Sequence, residues 1–268
     1  MTSNTLIIVG ADKGGVGKTT VSRTLLDYLA ACDVPARAFD TEWPRGTLKR
    51  FHSDQTEVVD ITLVPDQMKI LDSIRSTNKS TLVDVRAGQL SPTLQFFENI
   101  GFLEALKRAE VKLVLLHVLG PSISSLREIE EISSFVPDAE YFMVKNFIND
   151  SAFFNWDEGL YASYFSKSSP AAEIKIPKLN EMAYEQVESA AIPLASFIAN
   201  KGLSRDSDFS FVLRGYVRHW LASVWAEYDR VNLNGLLRSG QSAPRAQNFG
   251  SFSELAVRNA PAAEPVTA

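Results

Sequence analysis

The sequence predicts an α/β fold, a mostly parallel sheet of about seven strands flanked by helices. Three observations carry that expectation. Short β-like runs alternate with helical stretches along the 268 residues. Several of those runs are largely apolar, Val111 to Val118 most clearly although Lys112 and His117 interrupt it, as expected of strands buried on both faces. The first run, Leu6-Ile7-Ile8-Val9, breaks into a glycine-rich turn and then into Lys18-Thr19-Thr20 at the head of a helical stretch, which makes a strand–loop–helix unit.

In chain order, the strands are expected at residues 5–10, 36–40, 59–64, 80–85, 111–118, 139–145 and 172–176. Helices are expected at 18–31, 66–77, 93–109, 122–134, 179–200 and 207–230. The fifth helix is expected to break before Pro193, because proline lacks the N–H that would continue it. In the sixth, Phe209, Val212, Leu213, Tyr216, Val217, Trp220, Leu221, Val224, Trp225 and Tyr228 form an apolar stripe beside Arg214 and Arg218. That stripe suits a helix packed on the sheet; the alternative is a membrane-surface helix, which usually carries a denser basic face. Residues 1–237 are read as one domain, long enough to bury a sizeable core, and 238–268 as a disordered tail. The tail is dominated by Ala, Pro, Ser, Gly and Asn and has little apolar surface to bury, although Phe249 and Phe252 suit a small docking motif.

Composition narrows the function classes. A net charge of −5, from 27 basic and 32 acidic residues, argues against a wholly basic nucleic-acid binder while permitting a local basic face. The single cysteine, Cys32, supplies neither a disulfide framework nor the paired thiolates of an iron–sulfur carrier, and it reads as a small packed residue in a reducing cytosol. With no basic leader ahead of the first strand and no run of 18 apolar residues, the chain is expected to be cytoplasmic, neither secreted nor membrane-spanning.

Open α/β sheets bind ligands at the carboxyl ends of their strands. The first strand ends in Gly10-Ala11-Asp12-Lys13-Gly14-Gly15-Val16-Gly17-Lys18-Thr19-Thr20, where loop N–H groups and a helix N-terminus make a phosphate cradle. The strict phosphate-loop pattern needs glycine at position 12; Asp12 stands there, and Lys13 adds a second lysine. Lys18 is expected to neutralise the β- and γ-phosphates, with Thr19 as a Mg²⁺ ligand and Asp84 holding the metal through water. Gly88, which closes Asp84-Val85-Arg86-Ala87-Gly88, would let that segment swing when the γ-phosphate leaves. Asp40 and Glu42, after the second strand, suit metal-bound water or the attacking water, or else helix capping or plain solvation. Two further strands end at Lys145-Asn146 and Ile176-Pro177.

The run from Lys13 to Thr20 resembles the deviant Walker A box of the ParA/MinD family of ATPases, which partition plasmids and chromosomes or position division sites. The resemblance covers roughly residues 5–230, strongly at the box and weakly elsewhere. It implies ATP contacts at Lys13, Gly14, Gly15, Val16, Gly17, Lys18, Thr19 and Thr20, and Mg²⁺ at Thr19 and Asp84. It makes Asp84–Gly88 the second switch segment and the acids after strand two the first, and it gives base contacts to Asn146 and Pro177. Catalytic roles fall to Lys13, Lys18, Asp40 and Glu42. It further implies a homodimer sandwiching two ATP molecules, with Lys13 crossing to the partner's nucleotide, and a partner protein that stimulates hydrolysis.

Two departures stand out. The family's water-positioning aspartate falls on Glu42, 24 residues after Lys18, and Trp43 occupies a place usually held by proline, with Pro44 one position late. An extra methylene at Glu42 predicts slow hydrolysis, since a displacement of about 1 Å can cost about 100-fold in rate. The leading function is therefore an ATP-dependent partition or positioning switch. The alternatives are an ATP clamp or adapter that hardly turns over and, less favoured, a metabolic or reductase-type enzyme. Non-specific DNA contact would use Lys167, Lys175, Lys178, Lys201 and Arg205, which suit a solvated surface equally well.

Overall fold

The computed structural model describes residues 4–76, 79–102, 108, 111–149, 153, 158–166, 172–202 and 208–238. Seven strands form one sheet in the order β3-β2-β4-β1-β5-β6-β7, and every ladder is parallel. They are β1 (Asn4–Gly10), β2 (Ala36–Asp40), β3 (Thr56–Val58), β4 (Ser80–Asp84), β5 (Val111–Leu119), β6 (Glu140–Asn146) and β7 (Ala172–Ile176). The helices are α1 (Lys18–Ala31), α2 (Thr47–Phe51), α3 (Val64–Ser76), α4 (Leu90–Asn99), α5 (Ile123–Phe135), α6 (Glu158–Phe165), α7 (Glu181–Ala190), α8 (Leu194–Ile198), α9 (Phe211–Arg230) and α10 (Leu233–Arg238).

The alternation of side chains along the strands divides the core in two. Ile7 and Val9 of β1 face a cluster with α1 and α7 to α10, whereas Leu6 and Ile8 face one with α3 to α5. All four are fully buried, which is why β1 reads as a continuous apolar run. The register then brings the strand ends level: Asp40 is opposite Asp84, Val9 opposite Asp84, and Asn146 opposite Ile176.

Two expectations shift and one holds. The third strand lies at Thr56–Val58, where it pairs with Ala38–Asp40, and not at 59–64. Val59 and Ile61 are apolar because they point into the core, while Asp60 closes a turn by accepting from the Thr62 N–H, and Val64-Pro65 opens α3 with proline in its first turn. The helix expected at 93–109 runs from Leu90 to Asn99; residues 103–107 and 109–110 lie outside the described residues. The break before Pro193 separates α7 from α8, with Asn180 capping α7 and Ala191 in the left-handed region at its end. Helices α2, α6 and α10 were not expected from sequence, being short. Residue 207 and the tail from 239 lie outside the described residues, while Leu233 and Leu237 of α10 are buried in the core.

Helix α9 covers α1. Val217, Trp220, Leu221, Val224 and Tyr228 are buried, the Tyr228 hydroxyl meets Thr24 Oγ1 at 2.8 Å, and Trp225 Nε1 donates to the Thr24 carbonyl at 3.3 Å. The stripe is thus mainly a packing face, with Phe211, Val212 and Tyr216 of its first turns exposed. Among the described residues no helix is long and apolar enough to cross a membrane. Cys32 is buried, and burial pushes its thiol up to about 11.

Candidate functional site

Between β1 and α1 the chain makes a tight turn that depends on two left-handed glycines, Gly15 (φ 74°) and Gly17 (φ 86°). At Gly17 a Cβ would also fall 2.1 Å from Asn146 Nδ2. That closeness is structural, because Asn146 Nδ2 donates to the Val16 carbonyl at 3.2 Å and so ties the end of β6 to the loop. Lys18 turns back and donates to the Lys13 carbonyl at 3.1 Å. Burial lowers its pKa, and the carboxylates of Asp84, Glu128, Glu42 and Asp12 oppose the shift. Lys13 itself is exposed, as are Gly14 and Gly15.

The metal-ligating residue types meet at the end of β4. Thr19 Oγ1 donates to Asp84 Oδ2 at 2.8 Å, while Asp84 Oδ1 is buried with no hydrogen-bond partner. Burial pushes the Asp84 carboxyl up to about 7 against the Thr19 hydrogen bond and weaker help from the Ser22 hydroxyl and Lys18, and the neighbouring Asp40 charge adds to the rise. An unpaired, buried carboxylate oxygen next to a threonine hydroxyl fits a hard cation that takes few protein ligands.

Asp40 is otherwise engaged. Its Oδ1 accepts from the Glu42 N–H at 2.9 Å, and its Oδ2 from the Leu48 and Lys49 N–H groups at 2.6 and 3.2 Å. It therefore caps α2, the helix-capping alternative, and burial holds its pKa up against these three donors. The Glu42 carboxylate accepts from the Thr47 hydroxyl. Thr41 lies between the two acids and was not singled out from sequence. Its N–H and hydroxyl both donate to the Asp84 carbonyl at 3.1 Å, and its hydroxyl accepts from the Arg86 N–H at 2.8 Å, which joins the segment after β2 to the segment after β4.

Two clefts open on this edge. One, of about 310 Å³, is lined by Gly15, Gly17, Lys18, Thr19, Asp40, Glu42, Asp84 and Arg86. The other, of about 570 Å³, is lined by Asn146, Pro177, Lys178, Tyr184, Leu194 and Trp220 among others, and Thr20 belongs to both walls. Trp220 Nε1 donates to the Pro177 carbonyl at 2.6 Å and holds that rim in place. The pair forms a charged chamber beside a larger one lined in part by Pro177, Leu194 and Trp220.

Of the basic residues considered for DNA, Lys175, Lys178 and Lys201 lie among the described residues, and Lys201 is exposed. Lys175 pairs with Glu173 at 3.3 Å and Lys178 with Glu181 at 2.9 Å, and Lys167 and Arg205 lie outside the described residues.

No known family's sequence profile matches the chain. A search of the curated proteins finds no relative. Among solved structures the chain is similar to MinD cell division protein from Aquifex aeolicus, at 17% identity over 91% of this chain and 100% of that one, with a TM-score of 0.49. It is similar to a ParA family ATPase from Chlorobium tepidum, at 12% identity over 81% and 98% of the two chains, with a TM-score of 0.48. A nucleotide-binding protein from Archaeoglobus fulgidus, in complex with ADP, is similar at 14% identity over 71% and 87%, with a TM-score of 0.46. Structural neighbours of the chain thus include a ParA family ATPase and MinD, at identities too low to transfer any residue's role.

Proposed function

We propose that the chain is an ATPase of the ParA/MinD kind, in which ATP closes a homodimer and hydrolysis reopens it. The observation that carries this reading is the meeting of Lys18, Thr19 and the half-unpaired Asp84 in one charged cleft, with a second lysine, Lys13, exposed on the same loop. Lys18 and the loop N–H groups bind the phosphates, and Thr19 and Asp84 hold Mg²⁺. When bound, Mg²⁺ neutralises charge on the phosphate oxygens. Water adds to the γ-phosphorus as the bond to the bridging oxygen breaks, that electron pair leaves with ADP, and the water's proton passes to solvent. Glu42 orients the water, and Asp40 keeps Glu42 in place by holding the backbone around it. The larger cleft takes the base against Asn146 and Pro177.

Lys13 reaches the partner's nucleotide and makes closure depend on ATP. The closed dimer holds a large cargo, DNA or another assembly, until a partner protein stimulates hydrolysis. A second reading, a clamp that turns over slowly, draws support from the Glu42 carboxylate, which is held by Thr47. Analytical ultracentrifugation with phosphate-release kinetics tests the main proposal. Wild type is expected to dimerise with ATP and Mg²⁺ and Lys13→Ala to stay monomeric with most turnover lost. Unchanged dimerisation and hydrolysis in Lys13→Ala would sink the mechanism.

A further inference from the structure

Asp12 stands where a strict phosphate loop has glycine, and its contacts reach beyond the loop. Its carbonyl accepts from the Gly88 N–H at 2.9 Å, and its Oδ1 accepts from the N–H groups of Leu90 at 2.8 Å and Ser91 at 3.3 Å. Its Oδ2 accepts from the Ser91 hydroxyl. These donors are the start of α4. The residue at the head of that helix, Gln89, makes no side-chain cap, Pro92 has no N–H, and the Thr93 N–H goes to the Gln89 carbonyl at 3.0 Å. The open N–H groups of the first turn are therefore met by a residue of the phosphate loop 78 positions earlier in the chain.

Two further contacts stiffen the joint. Gly10 has no side chain where a Cβ would fall 2.8 Å from Leu90 Cδ1, and the Asp12 N–H is held by Glu128 Oε1 at 2.5 Å. The segment from Asp84 to Gly88 thus has one end on β4 and the other pinned to Asp12, with Arg86, Ala87 and Gly88 exposed between them.

We infer that Asp12 is a positioning residue that couples the phosphate loop to the start of α4, so that the nucleotide state of the loop is read out at Gly88–Ser91. The inference rests on the ATPase reading above. Lys13 directly follows Asp12, so any rearrangement of the loop around a γ-phosphate pulls on the cap of α4. Loss of the cap leaves nucleotide bound but frees α4 from it.

Hydrogen exchange on the full chain, with ADP and with a non-hydrolysable ATP analogue, both with Mg²⁺, tests this. Wild type is expected to show slower exchange at residues 88–91 with the ATP analogue than with ADP. Asp12→Ala should erase that difference while still binding the analogue, and raise exchange at Leu90 and Ser91 on the order of tenfold. Its kcat should fall about tenfold with KM within about threefold, the split expected of a positioning defect. Asp12→Asn keeps an oxygen for both N–H groups and should restore the difference. Ser91→Ala, the milder variant, should reduce it.

A difference that survives in Asp12→Ala and in Ser91→Ala, or one lost equally in Asp12→Asn, overturns the coupling alone. A wild-type chain that binds no ATP analogue overturns the ATPase reading, and the coupling with it.

Discussion

Replacing Asp84 by Asn should stabilise the nucleotide-free protein and abolish its response to Mg²⁺. Burial moves the Asp84 carboxyl from 3.8 to about 7. At 1.36 kcal/mol per pKa unit, ionising it in the fold costs about 4 kcal/mol at pH 8. An Asn amide avoids that cost but leaves its own N–H groups unmet beside Asp84's unpaired position, a penalty of about 2 kcal/mol. The net gain of about 2 kcal/mol corresponds to a melting temperature higher by roughly 5 °C in a chain of this size.

The sign follows from the direction of the shift. The folded-state pKa lies above the unfolded one, so the stability owed to the protonated acid is fully present below about pH 3.8 and lost as the pH passes about 7. The cost of ionising Asp84 falls to about 2 kcal/mol at pH 5, which only matches the amide penalty, so the advantage of Asp84→Asn should disappear between pH 8 and pH 5. Asp27, which burial also pushes up to about 7, is common to both proteins and cancels in the comparison. Saturating Mg²⁺–nucleotide should reverse the order. Wild type gains about 2.7 kcal/mol at a ligand concentration 100 times Kd, more than the variant's lead of about 2 kcal/mol, while the variant, with its Mg²⁺ response abolished, gains close to nothing. Calorimetric melts at the two pH values, with and without ligand, provide the readings. A nucleotide-free variant less stable than wild type at pH 8, or one with an undiminished Mg²⁺–nucleotide response, would refute the reasoning.

Two other substitutions probe the loop and the first acidic segment. Gly17→Ala should lose nucleotide binding by at least about 100-fold, because φ is 86° there and the new Cβ would fall 2.1 Å from Asn146 Nδ2; retained binding by calorimetric titration would contradict the cradle. Glu42→Asp should withdraw the carboxylate from Thr47 and raise phosphate release by about tenfold, whereas an unchanged rate would remove Glu42 from the slow step.

Much of the scaffold was legible because it is local. A strand buried on both faces is mostly apolar along its length, and Leu6–Val9 and, around Lys112 and the buried His117, Val111–Val118 declare themselves in that way. The one displaced strand, β3, shows where that logic fails: Val59 and Ile61 are apolar because a turn points them inward, and three residues of edge strand carry too short a pattern to compete. The short helices α2, α6 and α10 escaped for a similar reason, since about five to eight residues span little more than two turns of amphipathic period.

By itself the sequence determined the shape of the loop after β1: glycines where left-handed backbone is required, then Lys18 and Thr19 at the head of a helix, all set by near neighbours in the chain. Only the tertiary structure decided what the acids do. Asp40 caps α2, Asp12 caps α4, and Asp84 is left with one oxygen unpaired beside Thr19. The physical reason is that a carboxylate's role depends on which N–H groups and hydroxyls surround it, and here those donors come from segments up to 79 positions away. Charge can be read along a chain, but desolvation and hydrogen-bond partners exist only once the strands have brought their ends together.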